Sequence, residues 1–297
     1  MKTLLALLLA LGTAMTSLAQ ENPLAGVIDI HVHCAPDSTA RSIDAIDLAR
    51  LAKSRGMRGL VLKNHYEPTA SLAYVVRKEV PGIEVFGGVD LNLSVGGMNP
   101  SAVEHMAATT GGYGRFVWMS TFDSEAQVRY SKQDRPFVRV SQNGQLLPET
   151  KQVIAVIAKH NLVLATGHPT PEEALMMIRE GREQGVKHMV VTHAMIAPIH
   201  MPDAQMLEAA KMGAYIEFVY NGLIGSYKEF TFKDYARAIR YVGVEHCILA
   251  SDMGQPANPL HPDGLLALFD GLKKEGITEA EISRMAKENP ARLLGLE

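Results

Sequence analysis

Apolar runs rich in β-branched and aliphatic residues alternate with amphipathic stretches along this chain, recurring roughly every 25 to 45 residues. Eight such runs are readable, at residues 27–33, 59–65, 84–91, 115–121, 162–168, 188–193, 214–220 and 247–252. The stretches between them carry helix signals. Ser42 is positioned to cap a helix from Ile43 to Arg55 before Gly56, and Thr170-Pro171-Glu172-Glu173 opens a helix that ends near Gly181 or Gly185. Eight strand-helix units of this kind predict a closed α/β barrel, (β/α)8, with parallel strands.

The longest interval separates the fourth and fifth runs. Within it, Phe137 to Val140 and Leu146-Leu147 flank Gln142-Asn143-Gly144-Gln145, the pattern of a β-hairpin turning at Asn-Gly. A segment of that length predicts a flap over the strand ends. Thr278 to Leu294 reads as a C-terminal helix interrupted at Asn289-Pro290 and packed on the outside of the barrel.

Residues 1–19 stand apart from this pattern. Met1-Lys2 is a positive start, Leu4 to Leu11 an apolar core and Ser17-Leu18-Ala19 a small-x-small site, which together read as a signal peptide cut after Ala19. The protein is therefore expected to be exported, periplasmic or secreted, and not membrane-bound after cleavage. Residues 20–297 are expected to form a single domain. The net charge of −3, with acidic and basic residues interspersed, gives no basic patch for nucleic acid and no charge block for a membrane surface. A small-molecule substrate is the expectation, with a homo-oligomer compatible with the sequence. The two cysteines, Cys34 and Cys247, fall at opposite ends of neighbouring strands and are predicted to stay unbonded.

Chemistry concentrates at the ends of the runs. His31 and His33 end the first, His168 the fifth, His193 the sixth and Asp252 the eighth, and Lys63 stands near the end of the second. Residues i and i+2 of a strand share a face, so His31 and His33 can reach one ion. Imidazole nitrogens and a carboxylate suit one or two divalent ions, Zn2+ being the expected one, and an open coordination position lowers a bound water's pKa towards ~7. Asp252 is then both ligand and proton acceptor, with His193 the second catalytic candidate.

These motifs, Asp29-Ile30-His31-Val32-His33, Gly167-His168-Pro169, Thr192-His193-Ala194, Ser251-Asp252-Met253-Gly254 and the terminal Asn289-Pro290-Ala291-Arg292-Leu293-Leu294, resemble the amidohydrolase superfamily over nearly the whole chain after residue 20. The resemblance implies a TIM-type barrel, one or two divalent metals, and His31, His33, His168, His193 and Asp252 as ligands. Val61 to Thr69 further resembles a poorly characterised bacterial amidohydrolase-like branch. One departure matters. Binuclear members carry a bridging carboxylate on strand four or three, whereas Phe116-Val117-Trp118-Met119-Ser120-Thr121 has none, and the direction of Asp90 is not readable. Lys63 is left as the candidate sixth ligand, as a carbamate bridging two metals. Its alternatives are a cation orienting a substrate carboxylate or a lysine snorkelling at the mouth.

His65 is assigned to substrate or to the shell behind the metal ligands, and Arg41 to clamping an anionic substrate group. Tyr66, Tyr220 and Asn221 are pocket candidates, and His200 stands close enough to the sixth strand to join them. His105, His160, His188, His246 and His261 have no such case. Two reactions fit: hydrolysis of an amide, lactone or ester by metal-activated water, and a mononuclear decarboxylase or lyase of the same superfamily.

Overall fold

The protein is described as a computed structural model over residues 22–296, so the expected signal segment lies outside the described residues. In chain order its strands are β1 (Ile28–Val32), β2 (Gly59–Leu62), β3 (Glu84–Asp90), β4 (Gly114–Trp118), β5 (Ser141–Gln142), β6 (Gln145–Leu146), β7 (Val163–Ala165), β8 (His188–Val191), β9 (Tyr215–Val219) and β10 (Cys247–Ala250). Eight of them form one parallel sheet in the order β1-β2-β3-β4-β7-β8-β9-β10. All eight apolar runs thus became barrel strands, each strand stopping one to three residues short of its run's end. Those last residues include His33, Lys63, His65, Thr121, His168, His193 and Asp252.

The sheet closes where β10 meets β1. Asp252 N donates to His31 O at 3.0 Å and His33 N donates to Met253 O at 3.0 Å. A third bond at this seam comes from a side chain, Ser251 N donating to Asp29 Oδ1 at 3.0 Å. Close approach of the two chains requires Gly254, where a Cβ would stand 2.2 Å from His33 O.

Alternation places Ile28, Ile30, Val61, Phe116, Trp118 and Ile248 in the barrel lumen and Val32, Leu60, Leu62, Val117 and Leu249 against the helices. The register of β1 against β2 shifts between Asp29 and Val32, one extra residue lying on β1. This bulge is what changes the parity of the strand, so that the face carrying Ile28 and Ile30 below gives way to His31 and His33 above. Phe116 and Trp118 stack in the lumen at 5.0 Å between centroids. Gly88 makes room for them, since a Cβ there would meet Phe116 O at 2.2 Å and the Trp118 ring at 2.8 Å.

The helices covering the barrel include α1 (Ala45–Ser54), α2 (Ala70–Glu79), α3 (Pro100–Ala107), α4 (Glu125–Tyr130), α5 (Pro148–Lys159), α6 (Pro171–Glu183), α7 (Asp203–Lys211), α8 (Phe232–Val242) and α9 (His261–Lys274). Thr170 caps α6 with a full capping box to Glu173, as the sequence predicts. The cap of α1 is Asp44, not Ser42: Asp44 accepts from Ile46 N and Asp47 N, while Ser42 N is used to bind Gly254 O at 2.9 Å. Among the described residues no helix is long and apolar enough to cross a membrane.

Two placements differ from expectation. The hairpin β5–β6 does turn at Asn143-Gly144, both at positive φ, yet Phe137 to Val140 adds no strand to it. It packs towards α6 instead of covering the mouth, because Leu146 finds its apolar partners in the helix layer. The C-terminal segment, α10 (Glu279–Ser283), a π-helical turn at Arg284–Glu288 and α11 (Asn289–Leu294), does not lie on the outside. Ala291, Leu293 and Leu294 join the lumen cluster with Ile28 and Ile248 and plug the bottom of the barrel. Asn289 Nδ2 fixes the plug by donating to Val244 O at 2.9 Å and Cys247 O at 2.7 Å. The wide turn just before Pro290 accommodates its missing N–H without ending the rod.

Leu294→Ala is expected to cost about 2–5 kcal/mol in urea denaturation, since the plug cannot collapse into the lumen it fills. Cys34 and Cys247 are free and buried, and burial pushes the Cys34 thiol up to about 12. An aromatic disulfide reagent should therefore label neither in the native protein and both after unfolding.

Candidate metal centre

The closing seam places three side chains from two strand ends around one point. His31 Nε2 and His33 Nε2 stand 3.3 and 3.1 Å from Asp252 Oδ1, and one donor atom from each residue lies within 4.8 Å of the others. The backbone of Asp252 is held at φ 52°, a conformation unfavourable for a residue with a Cβ and retained where its surroundings demand it. His31 turns its other ring nitrogen to Glu217, with Nδ1 at 3.2 Å from both carboxylate oxygens. With Nδ1–H donated there, the Nε2 lone pair faces the centre, the arrangement found behind metal-bound histidines. The donor set of two imidazoles and a carboxylate therefore fits a divalent ion of the zinc type.

His168 and His193 complete the ring of imidazoles. Their Nε2 atoms face each other at 3.0 Å, and His193 stacks on His31 with centroids 5.7 Å apart. Gln127 of α4 accepts from His168 Nδ1 at 2.9 Å, and Glu217 also accepts from His193 N at 2.8 Å, so one carboxylate orients two of the histidines. His193 itself sits at φ 24°, and its Nδ1 has no partner. Burial is the main cause that holds His33, His65 and His168 well below the ordinary imidazole value and brings His193 down to about 4. Neutral rings are the state a metal requires. His31 moves the other way: burial disfavours its charge, but Asp252 and Glu217 raise it above the ordinary value. Asp252, which burial alone would raise, is held well below the usual carboxylate range by His31, His33 and His193.

Lys63 lies deeper. Fully buried, its Nζ is 3.2 Å from Asp90 Oδ2, 3.4 Å from His65 Nδ1 and 5.5 Å from the centroid of Trp118. Asp90 thus points into the barrel. Its carboxyl also accepts from Thr121 Oγ1 at 2.8 Å, and burial pushes it up to about 6. His65 Nδ1 meets Thr121 Oγ1 at 3.0 Å and its ring stacks on Phe122.

A cavity of about 410 Å3 opens above the histidines. His31, His33, His65, His168, His193 and Asp252 reach its wall, together with Arg41 and Asn221, while Lys63 does not. Asn221 Nδ2 donates to Asp252 Oδ2 at 3.2 Å. Of the other pocket candidates, Tyr220 is buried in the core, Tyr66 stands off the wall, and His200 binds Glu229 at the rim. His261, set aside on sequence, is buried behind the centre with Nε2 3.0 Å from His33 O. Sequence reasoning also missed Glu217, Thr121 and Gln127. Glu217 alone left a signal, as a single carboxylate in the middle of Tyr215-Ile216-Glu217-Phe218-Val219.

Comparison with known proteins gives the same architecture. Solved structures that resemble this one include an amidohydrolase from Pseudomonas aeruginosa (14% identity, TM-score 0.60, 92% of this chain and 96% of that one). A 2,6-dihydroxybenzoate decarboxylase from Rhizobium aligns at 12% identity and TM-score 0.58, over 92% and 99% of the two chains. An N-acetyl-D-glucosamine-6-phosphate deacetylase from Mycobacterium smegmatis aligns at 17% and 0.57, over 92% and 76%. At such identities the likeness establishes the fold, a barrel shared with amidohydrolase-type enzymes. No curated protein matches the sequence. The model of a family of unknown function, DUF6282, matches residues 26–217.

Replacing Glu217 by Gln, which keeps the shape and removes the charge behind His31, should weaken zinc binding about 10- to 100-fold in a chelator competition titration. An unchanged affinity would separate Glu217 from the centre.

Proposed function

We propose, for a chain that belongs to the DUF6282 family, the chemistry of a metal-dependent hydrolase of the amidohydrolase type, cleaving an amide, lactone or ester bond in a small molecule. The observation that carries this reading is the convergence of His31 Nε2, His33 Nε2 and Asp252 Oδ1 on the wall of an open cavity. His168 and His193 stand beside them as further nitrogen donors. A divalent ion bound there, Zn2+ by its donor set, supplies Lewis acidity and a water of lowered pKa.

The chain's own residues do the rest. Asp252 takes up a proton at Oδ2, the oxygen that Asn221 holds, while Oδ1 stays turned to the two histidines. His193, the second catalytic candidate, and His65 stand on the same wall, where His65 contacts the substrate. Lys63 works unmodified. Its carbamate would set a second anion against Asp90, whereas the unmodified side chain pairs with that carboxyl beneath the histidines. The apolar stack of Phe116 and Trp118 below excludes water from the lumen side.

One observation favours a second reading. Trp118 stands at the end of β4, and Lys63 and Asp90 are paired with each other away from the cavity wall, so none of the three offers a bridge between two metals there; a mononuclear decarboxylase of the same fold needs none. Product analysis decides. Zinc-loaded protein incubated with lactones, N-acyl amino acids and hydroxybenzoates should release acid from the first two without CO2, and Asp252→Asn should lower that turnover by about 10^2- to 10^4-fold. Release of CO2 from the benzoates with no acid from the other two would establish the lyase instead.

A further inference from the structure

The loop between β1 and α1 is built as a rigid platform. Ala35 N binds Ile43 O at 2.9 Å, Ala45 N binds Ala35 O at 2.8 Å, and Ser42 N reaches across to Gly254 O beside the seam. At its centre the Asp37 side chain is fully buried, with Oδ1 accepting from Thr39 N at 3.1 Å and Oδ2 from Arg41 Nε at 2.6 Å. A bond to Nε fixes the plane of a guanidinium and leaves its outer edge of Nη1 and Nη2 free. The Arg41 side chain is only 4% exposed, and Nη2 is buried without a partner. Yet Arg41 lines the same cavity as His33, His65 and Asp252.

A buried guanidinium N–H left unbonded is costly, and a guanidinium held in a fixed plane suits a planar carboxylate. We propose that Arg41 is the anchor for a carboxylate on the substrate, remote from the bond that reacts; this rests on the metal-centre reading above. The rest of the wall agrees. Among the described lining residues Arg41 is the one lysine or arginine, and Asp37 already balances part of its charge. One partly balanced guanidinium suits a singly charged carboxylate better than a dianionic phosphate. Phe122, Tyr130 and Tyr227 give the same cavity aromatic surface for the hydrocarbon part that joins the carboxylate to the reacting group.

The test separates the anchor from the metal. Hydroxamates bind such metals directly, so each monohydroxamate of succinate, glutarate and adipate is compared by calorimetry with its counterpart ending in methyl, on the zinc-loaded full chain. In the wild type, the carboxylated member of at least one pair should bind about 10- to 100-fold more tightly. Arg41→Met should abolish that preference and leave the methyl-ended ligand within about twofold, and Arg41→Lys should keep part of it. Equal affinities within every pair in the wild type, or a preference that survives in Arg41→Met, would overturn the anchor while the metal reading stands. Failure of every hydroxamate to bind would overturn the metal reading and the anchor with it.

Discussion

The two main-chain hydrogen bonds that join β10 to β1 are the constraint on which the rest of this structure depends. Asp252 N to His31 O and His33 N to Met253 O close the barrel, and they do so with the residues whose side chains form the centre. Closure and site are therefore one piece of geometry. The bulge after Asp29, the positive φ of Asp252 and the glycine at 254 are local costs accepted so that three donor atoms meet. Asp29 supplies the missing rung of the seam through its side chain, and burial pushes its carboxyl up to about 6.

Around this seam lie buried polar and ionisable side chains, among them Asp29, His31, His33, Lys63, Asp90 and Glu217. Buried ionisable groups are tolerated only when paired or neutral, and both solutions appear here. Glu217 and Asp252 lie against the two ring nitrogens of His31, and Asp90 against Lys63. His33, His65, His168 and His193 are neutral because burial disfavours their charge. Below them the lumen turns apolar and α11 fills its lower end, while the cavity is lined by the loops that carry Arg41 and Tyr227.

Much of this was legible in the sequence because it is periodic. The strands announce themselves as apolar runs, and the candidate ligands as polar residues near the ends of those runs. His31, His33, His168, His193 and Asp252 all reach the one wall. What was not legible depends on contacts between distant segments. The bulge in β1 appears only when the strand is paired with β2. The direction of Asp90, and so its pairing with Lys63, follows from the parity of β3 in the closed barrel. The hairpin was found by its Asn-Gly turn, but where it packs depends on Leu146 and α6, and the terminal helix gave no sign that its apolar face fits the barrel's lower end. Glu217 was overlooked because a lone acid in a strand reads as a solvated residue until the strand is known to face the lumen.

The central claim is that the barrel's closing seam is a metal centre with Lys63 as its unmodified neighbour. An anomalous-difference map from zinc-loaded crystals tests it most directly. The account requires a peak bounded by His31 Nε2, His33 Nε2 and Asp252, with Lys63 seen as a free amine against Asp90. No peak at that point, or density for a carbamate on Lys63 bridging two ions, would contradict it.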